Sequence, residues 1–276
     1  MIMKIVLNNT AKCESFALIF QHVKTFTEYI NISFTATGLY IQAMDSSHVS
    51  IFEITLPAEW FDEYILGEEG ETPGDDPEDE SISLGISSLI LFKILNSRDK
   101  SQKITIDYSN KKSDIVNIHF AGDNKQEFDK HFEVSLIDIE MDIMQIPDME
   151  YQAEITLSSY HFANIINQLK LFGNNLDVEC SEDKIILYSS SVESGKMFVE
   201  IKIEDLTSFS INEGETVNMS FSLTFLHNIC LYNKLSKEIE LKFSENVPMK
   251  IIYNIIGDED GAKMVFYLAP KITDSD

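Results

Sequence analysis

The sequence is short of cysteine and of positive charge, and each shortage excludes a class of protein. The three cysteines, Cys13, Cys180 and Cys230, stand far apart and form no CxxC pair. This spacing predicts reduced thiols in an intracellular protein and argues against a disulfide framework or a zinc site. The formal net charge is −25, whereas a general nucleic-acid binder would normally carry a basic footprint.

Long hydrophobic runs and the common ligand-binding motifs are also missing. No apolar run approaches a membrane span, and Met1–Leu7 is too short and too poorly flanked for a signal peptide. Neither GxxxxGK[ST] nor GxGxxG occurs, and the six histidines show no HExxH or similar ligand spacing. We therefore expect a soluble protein with no nucleotide site, no metal site and no cofactor.

The remaining composition is that of a folded protein with one unusual segment. A chain of 276 residues, 44% hydrophobic and 24% charged, is long enough for two ordinary domains. Residues 66–80 differ, because they hold eight acids, three glycines and two prolines but a single apolar residue. We predict a solvated, mobile acidic insertion there, since too few of its residues could form a core.

A change of phase in the apolar pattern marks the boundary between the two domains. Phe132, Val134 and Leu136 alternate with polar residues as in a half-buried strand, and the apolar positions then shift by one residue. One unbroken strand cannot continue through such a shift, because every side chain would turn to the other face. Residues 137–150 carry five carboxylates and no Lys or Arg, and Pro147 restrains their far end. We predict a strand that ends near Leu136, followed by a connector that lies across a surface.

The chain before the connector and the chain after it follow the same order of strands and helices. Each half begins with a strand and a helix, continues with several strands, and holds a second helix before its last strands. The four helices are predicted over Cys13–Phe26, Ser87–Ser97, Ser158–Phe172 and Leu223–Leu235. This pattern predicts an α+β fold of two repeated domains with antiparallel sheets. We place the N-terminal domain at 1–134, the interdomain connector at 135–150 and the C-terminal domain at 151–276.

The stretch Asp45–His48 places an acid, two hydroxyls and an imidazole side by side. Such residues can form a nucleophilic triad, but triads are assembled from separate elements, and neighbours on one loop rarely line up. A turn in which Asp and Ser bind backbone groups is favoured instead. We predict no catalytic residue, and an acyl-transfer enzyme that uses Ser47 and His48 ranks last among the functions considered.

Three stretches together resemble one known family. They are Leu39–Ser50 (LYIQAMDSSHVS), Ile146–Tyr151 (IPDMEY) and Tyr267–Ile272 (YLAPKI). Each is similar to a segment of the eukaryotic-type DNA sliding clamp, the proliferating cell nuclear antigen family. The three follow the family's order with matching spacing, and the resemblance covers nearly the whole chain apart from the acidic insertion.

The resemblance implies a DNA polymerase processivity factor that is not an enzyme. Members of the family form a ring of three identical subunits around duplex DNA, with antiparallel sheets outside and four short helices per subunit lining the hole. Such a homotrimer docks DNA replication and DNA repair proteins and is loaded by a separate ATP-driven clamp loader. The implied location is the nucleus, or a viral replication site if a virus encodes the chain.

The resemblance also assigns a hydrophobic pocket for partner peptides under the interdomain connector. The partner would supply a short peptide in which a Gln is followed by an aliphatic residue and two aromatics. We call the nine residues that match this pocket the partner set: Met44, His48, Val49, Met144, Ile146, Pro248, Tyr267, Ala269 and Pro270. Met and Pro on loops are typical of adaptable binding surfaces.

The DNA-facing helices depart from the family pattern. Family members line the hole with Lys and Arg, and Lys24 and Lys93 match such positions, whereas Asn164 and Asn167 stand where bases are usual. Other non-basic residues at such positions are Ala17, Leu18, Asn96 and Leu231. Fewer phosphate contacts mean a weaker affinity and a shallower salt dependence. We predict weak direct DNA binding and retention by enclosure.

Head-to-tail closure of the ring is expected to pair two edge strands. One strand is Phe128–Leu136, and the other is Gly195–Lys202 of the next subunit. The implied interface residues are Phe128, Phe132, Val134, Lys196, Phe198 and Glu200. Glu182 stands where the family has a modified lysine, and Lys184 lies close to that position.

Two other functions remain open from the sequence. The chain could be a specialised clamp paralogue that acts in a hetero-oligomeric ring, as in checkpoint signalling, and obligate mixing with another subunit would identify it. It could also be an acidic DNA mimic that sequesters basic proteins. The mimic predicts monomers whose partner binding collapses as the salt concentration rises.

Overall fold

The chain divides into two compact units. The computed structural model describes residues 1–67, 81–109, 114–122, 128–139, 143–255 and 261–271. Unit 1 comprises Met1–Ser46, Glu53–Met144 and Ile255–Lys263, and unit 2 comprises Ser47–Phe52, Gln145–Asn254 and Met264–Asp276. Most of the predicted acidic insertion, from residue 68 to 80, lies outside the described residues, as do 140–142 of the predicted connector. The predicted domain boundaries stay a prediction.

Unit 1 contains two antiparallel sheets and two helices. Its elements are β1 (Ile2–Leu7), α1 (Thr10–Val23), β2 (Tyr29–Thr35), β3 (Gly38–Met44), β4 (Ser50–Pro57), β5 (Glu63–Gly67), β6 (Ile82–Ser87), α2 (Ser88–Asn96), β7 (Lys103–Ser109), β8 (Ile115–Ala121) and β9 (Lys130–Ser135). One sheet has the order β5–β1–β7–β8–β9, and the other has the order β4–β3–β2–β6. Leu66 and Gly67, assigned to the insertion from the sequence, pair with Met3 and Ile2 as the end of β5.

Unit 2 repeats this arrangement. Its elements are β10 (Ala153–Ser158), α3 (Ser159–Leu169), β11 (Asn175–Cys180), β12 (Lys184–Ser191), β13 (Gly195–Lys202), β14 (Ser208–Ile211), β15 (Val217–Ser222), α4 (Leu223–Cys230), β16 (Glu238–Phe243), β17 (Met249–Asn254) and β18 (Lys263–Leu268). The sheet orders are β14–β10–β16–β17–β18 and β13–β12–β11–β15. Adding nine to each strand number of unit 1 gives the strand order of unit 2. The internal repeat and the α+β class predicted from the sequence are therefore confirmed.

The core of each unit lies between its two sheets. In unit 1, the buried side chains of Ile5 and Ile118 from one sheet meet Phe34 and Leu84 from the other, together with Phe16 of α1. In unit 2, Ile155 and Leu241 meet Val178 and Leu187 in the same way, together with Phe162 of α3. Strands such as β1, β8 and β10 alternate buried and half-buried positions because one face of each sheet is turned to this core. The helices contact each other in pairs, α1 with α2 and α3 with α4.

Local capping sets the helix ends and explains where the sequence prediction was inexact. Helix α1 begins at Thr10 and not at Cys13, because the Asn9 side chain accepts hydrogen bonds from the N–H groups of Ala11 and Lys12. Helix α4 ends at Cys230, five residues before the predicted end. There the Asn233 side-chain amide donates a 2.7 Å hydrogen bond to the Cys230 carbonyl oxygen, which satisfies an acceptor at the helix terminus.

In each unit, one sheet ends at a strand that has a neighbour on one side only. In unit 1, β9 pairs with β8, and in unit 2, β13 pairs with β12, in continuous antiparallel register. Neither strand has a second neighbour within the described ranges of the chain. The free N–H and C=O groups of β9 and β13 are therefore available to another strand.

Within the described residues, no helix has the length and hydropathy needed to cross a membrane.

Candidate functional site

The connector leaves β9 and crosses the second sheet of unit 1. The Ile137 N–H donates a 2.9 Å hydrogen bond to the carbonyl oxygen of Gly85 on β6. A Cβ atom at position 85 would lie 2.0 Å from the Ile137 carbonyl oxygen, which is far inside van der Waals contact. Glycine is required at this position because the connector backbone passes directly over the strand.

Two polar side chains of the same sheet hold the connector further along. The Asn31 side chain on β2 donates a 2.9 Å hydrogen bond to the Ile139 carbonyl oxygen. Gln42 on β3 makes two bonds to Met144: its Nε2 donates to the Met144 carbonyl oxygen at 2.9 Å, and its Oε1 accepts from the Met144 N–H at 2.7 Å. Because Gln42 is only 8% exposed, few water molecules compete for these bonds. The prediction that the connector lies across a surface is confirmed within unit 1.

Unit 1 contributes two methionines to the partner set. Met44 is the last residue of β3, two positions after Gln42, and Met144 is the connector residue that Gln42 binds. Both methionine side chains are half-buried, in contrast to Ile41 and Ala43 of the same strand, which are buried in the core. Methionine is flexible and polarizable, so it can adapt its contacts to different apolar partners.

Unit 2 contributes the other seven residues of the partner set. The Ala269 N–H donates a 3.0 Å hydrogen bond to the Val49 carbonyl oxygen, which brings the segment Ser47–Phe52 and the end of β18 together within this unit. His48 is exposed and adopts the left-handed backbone region, with φ at 58°. The other six members are all half-buried: Val49, Ile146, Pro248, Tyr267, Ala269 and Pro270. Apolar groups that a core has only partly covered can bury more surface against a partner.

Large exposed aromatic residues lie on or beside the two edge strands. Phe128, two residues before β9, is 80% exposed, and Phe198 in the middle of β13 is 67% exposed. Val134, by contrast, is only 6% exposed and belongs to the core of unit 1, so it can contribute to an interface chiefly through its backbone. Phe132 is half-buried, with its ring centroid 5.4 Å from that of Phe120.

The polar residues predicted for the interface are exposed on β13. The Lys196 Nζ lies 4.1 Å from the centroid of the Tyr188 ring, in a cation–π contact. The Glu200 carboxylate lies 3.5 Å from the Lys184 Nζ on β12. Two exposed groups at this separation stabilise the fold little, because water screens their attraction.

Comparison with known proteins assigns the fold to a family. Two family models match consecutive parts of the chain: the proliferating cell nuclear antigen N-terminal domain matches residues 9–145, and the C-terminal domain matches residues 145–271. The chain belongs to the proliferating cell nuclear antigen family. The resemblance inferred from the three sequence motifs is therefore confirmed, and the protein is a sliding clamp of this family.

Curated relatives match over most of their length. The chain is 27% identical to a proliferating cell nuclear antigen of Chaetomium thermophilum over 259 residues, which is 92% of this chain and 93% of the relative. It is 26% identical to proliferating cell nuclear antigen 2 of Plasmodium falciparum, covering 94% and 96% of the two chains. It is 28% identical to proliferating cell nuclear antigen 2 of Drosophila melanogaster, covering 87% of each.

The helix residues predicted to face DNA in this clamp are exposed or half-buried. Lys24 and Lys93 are exposed in unit 1, and the Lys24 Nζ lies 3.2 Å from the centroid of the Phe92 ring. In unit 2, Asn164 is half-buried, and the Asn167 Oδ1 lies 2.7 Å from the His227 Nδ1.

His227 does not replace the missing positive charge on the helices of unit 2. Burial lowers its pKa, and the nearby charge of Lys170 lowers the pKa further. At neutral pH the imidazole is therefore uncharged, and its one N–H is used by the Asn167 Oδ1, so it offers a phosphate no ion pair.

Two lysines on these helices were missed from the sequence. Lys170 is the exposed C-cap residue of α3, as Lys24 is of α1, and exposed Lys234 lies four residues beyond α4. Lys93 lies in the last turn of α2, so each of the four helices has a lysine within four residues of its last residue. A cation is favourable there because it faces the negative end of the helix dipole. The internal repeat could have revealed Lys170, since α1 and α3 occupy equivalent places.

The remaining predicted positions have ordinary structural roles. The Glu182 Oε1 accepts a 2.7 Å hydrogen bond from the Gly214 N–H, so this residue joins two loops of unit 2. In the Asp45–His48 stretch, Ser46 and Ser47 form the expected turn, and the Ser46 N–H also donates a 3.2 Å hydrogen bond to the carbonyl oxygen of the sequence-distant Phe26. Asp45 is 4% exposed, whereas Ser47 and His48 are exposed. Neither the Glu182 hydrogen bond nor the Asp45–His48 stretch indicates a reaction centre.

Proposed function

We propose that the chain is the subunit of a homotrimeric sliding clamp that encircles duplex DNA and increases the processivity of a DNA polymerase. One observation carries the proposal: the two repeated clamp units each present an edge strand, β9 and β13, with an exposed phenylalanine at or beside it. A heterologous contact between β9 of one subunit and β13 of the next closes into a ring when three copies complete one rotation.

The energetics of this contact follow from the exposed side chains. Burying a phenylalanine side chain contributes about 1.5–3 kcal/mol, and both Phe128 and Phe198 are largely exposed in the isolated chain. Antiparallel pairing would add backbone hydrogen bonds that each edge strand lacks. Backbone pairing would fix the register of the two strands, and burial of the two phenylalanines would supply much of the binding free energy.

The charge distribution supports enclosure of DNA more than tight direct binding. The chain carries a net charge of −25, yet each helix has at least one lysine within four residues of its last residue. A few phosphate contacts per subunit give a weak affinity with a shallow salt dependence. A closed ring is retained on DNA by topology, so strong phosphate contacts are unnecessary, and weak ones allow it to slide.

Partner proteins are proposed to bind the partner set through a short peptide with a Gln, an aliphatic residue and two aromatics. The half-buried apolar members of the set would complete their burial against the aromatic anchors. Replication and repair proteins carrying such peptides could then dock in turn. A separate ATP-driven clamp loader would open and place the ring, in the nucleus or at a viral replication site. The clamp itself is proposed to have no enzymatic activity.

The oligomeric mass in solution tests the proposal. Light scattering should report three times the chain mass of 31.5 kDa for the wild type. Phe198→Glu should weaken association by about 10- to 100-fold or more, since it removes the apolar anchor and buries a charge. Ile65→Glu is the control, because Ile65 is 41% exposed and lies on β5, at the edge of the first sheet opposite β9.

The outcomes separate the alternatives. A trimer that Phe198→Glu dissociates and Ile65→Glu leaves intact supports the homotrimer. A wild-type chain that stays single at high concentration contradicts it. Such a chain would instead support a mixed ring if a second clamp subunit restored assembly, or an acidic DNA mimic if salt alone abolished its partner binding.

A further inference from the structure

Three potential metal ligands meet on the outer face of the first sheet of unit 1. His119 on β8 and His131 on β9 are direct partners in the antiparallel register. Their rings are stacked, with centroids 4.1 Å apart and planes 9° from parallel. Asp129, next to the first residue of β9, places its Oδ2 3.8 Å from the His119 Nε2. One ligand atom from each of the three residues lies within 4.8 Å of the other two.

The His119 ring provides a second, independent observation. Its Nε2 is buried and has no hydrogen-bond partner among the described residues. A buried polar atom without a partner costs roughly 1–3 kcal/mol and is uncommon in folded proteins. A metal ion bound to this nitrogen would remove that cost, and the nitrogen already points toward the Asp129 carboxylate.

The Asp129 carboxylate is held in place by its other oxygen. The Gly122 N–H donates a 3.1 Å hydrogen bond to Oδ1, which leaves Oδ2 directed toward His119. A ligating carboxylate is commonly oriented by such an outer hydrogen bond. Asp129 and His131 are exposed, so small side-chain rotations can bring their ligand atoms to the spacing that a metal requires.

We propose that His119, Asp129 and His131 form a binding site for a divalent transition-metal ion, with zinc as the best fit. Imidazole nitrogen suits zinc, nickel and copper, whereas magnesium and calcium prefer oxygen ligands alone. A tetrahedral zinc ion has its ligands at about 2.0–2.1 Å, so the three ligand atoms must close to about 3.4 Å from one another. Two imidazoles and one carboxylate leave the fourth position to water.

A simple ion pair is the competing explanation. A protonated His119 could pair with Asp129 at 3.8 Å, but this separation is longer than a hydrogen bond. The ion pair also gives no role to His131, which stacks on His119 from the opposite strand. The metal site uses all three residues. It is formed within one chain, so it does not depend on the proposed ring.

The site is tested with the tag-free, full-length chain after treatment with a chelator. Zn²⁺ is titrated by calorimetry in the presence of excess Mg²⁺, which occupies sites made of carboxylates alone. Co²⁺ is titrated separately and followed by visible absorption. We expect one ion per chain and the intense absorption bands of four-coordinate cobalt. His131→Ala and Asp129→Asn should each lower the affinity for Zn²⁺. Loss of a residue that only orients a ligand typically lowers metal affinity by roughly 10- to 100-fold, and His131→Ala should lower it by more than this because it removes a ligand.

Matched variants keep the result interpretable. His161→Ala removes an exposed histidine of α3 in the other unit and should bind Zn²⁺ as the wild type does. Asp129→Asn retains an oxygen that can accept from Gly122, so it tests the charge without removing that hydrogen bond. Zn²⁺ should raise the melting temperature of the wild type and of His161→Ala but not of His131→Ala. The proposal is overturned if the wild type binds no Zn²⁺, or if His131→Ala binds it as tightly as His161→Ala.

Discussion

The attachment of the connector to β3 yields the most specific prediction. Gln42 makes two hydrogen bonds to the Met144 backbone, at 2.9 and 2.7 Å, and is 8% exposed. A hydrogen bond of this kind contributes about 1 ± 0.5 kcal/mol net. Gln42→Ala should therefore weaken the attachment of the connector by about 2 kcal/mol. This corresponds to a rise of roughly 30-fold in the population that has detached at Met144.

Hydrogen exchange of the Met144 amide measures this population directly. The amide donates to the Gln42 Oε1, so its protection should fall about 30-fold in Gln42→Ala, as expected for a local opening. Amides in β7 and β8 should keep their protection, because they lie in the interior of the first sheet. Gln145→Ala removes an exposed glutamine of the connector itself and should leave the Met144 amide unchanged.

Partner binding should respond to the same substitution. A Gln-aliphatic-aromatic peptide that binds only while the connector is attached must use part of its binding free energy in Gln42→Ala to restore that attachment. The affinity of the peptide should therefore fall by up to about 30-fold. Unchanged Met144 protection in Gln42→Ala would refute the reasoning about the attachment. Lost protection with an unchanged peptide affinity would refute only the role of the connector in the partner site.

Three further predictions follow from the structure. Gly85→Ala should destabilise unit 1 by about 1–3 kcal/mol, because its Cβ would lie 2.0 Å from the Ile137 carbonyl oxygen. Thermal unfolding of this variant is compared with that of Ser83→Ala, which changes an exposed residue of the same strand. Burial raises the pKa of Cys180 to about 11 and that of Cys230 to about 12, so both thiols should react with a maleimide only in denaturant, and modification of the native chain would contradict this. Lys170→Ala should reduce the slope of log K against log salt for DNA by about 0.9, and an unchanged slope would exclude a phosphate contact.

The periodicity of the sequence predicted the repeated α+β fold, because apolar spacing is a local property. It predicted all four helices but misplaced their ends, since side chains just outside them cap the backbone. Asn9 starts α1 three residues early, and Asn233 accompanies an early end of α4. These caps are also local in sequence, so Asn9 and Asn233 could have indicated the helix ends. The prediction missed them because it used only the spacing of apolar residues.

The attachments of the connector could not be predicted in the same way. Gln42 lies within the Leu39–Ser50 motif, but its partner Met144 is 102 residues away, and no local pattern pairs them. The His119–His131 contact has the same origin, because it depends on the register of β8 against β9. The resemblance to a family supplied the partner set and the edge strands, which composition did not indicate.

Retention on DNA of defined topology tests the central claim most directly. The chain is loaded onto a nicked circular duplex with an ATP-driven clamp loader that accepts it, and high salt is then used to suppress phosphate contacts. The account predicts that the protein stays on the circle and leaves within one wash once the circle is cut to a linear molecule. Equal loss from the circular and the linear duplex would contradict enclosure.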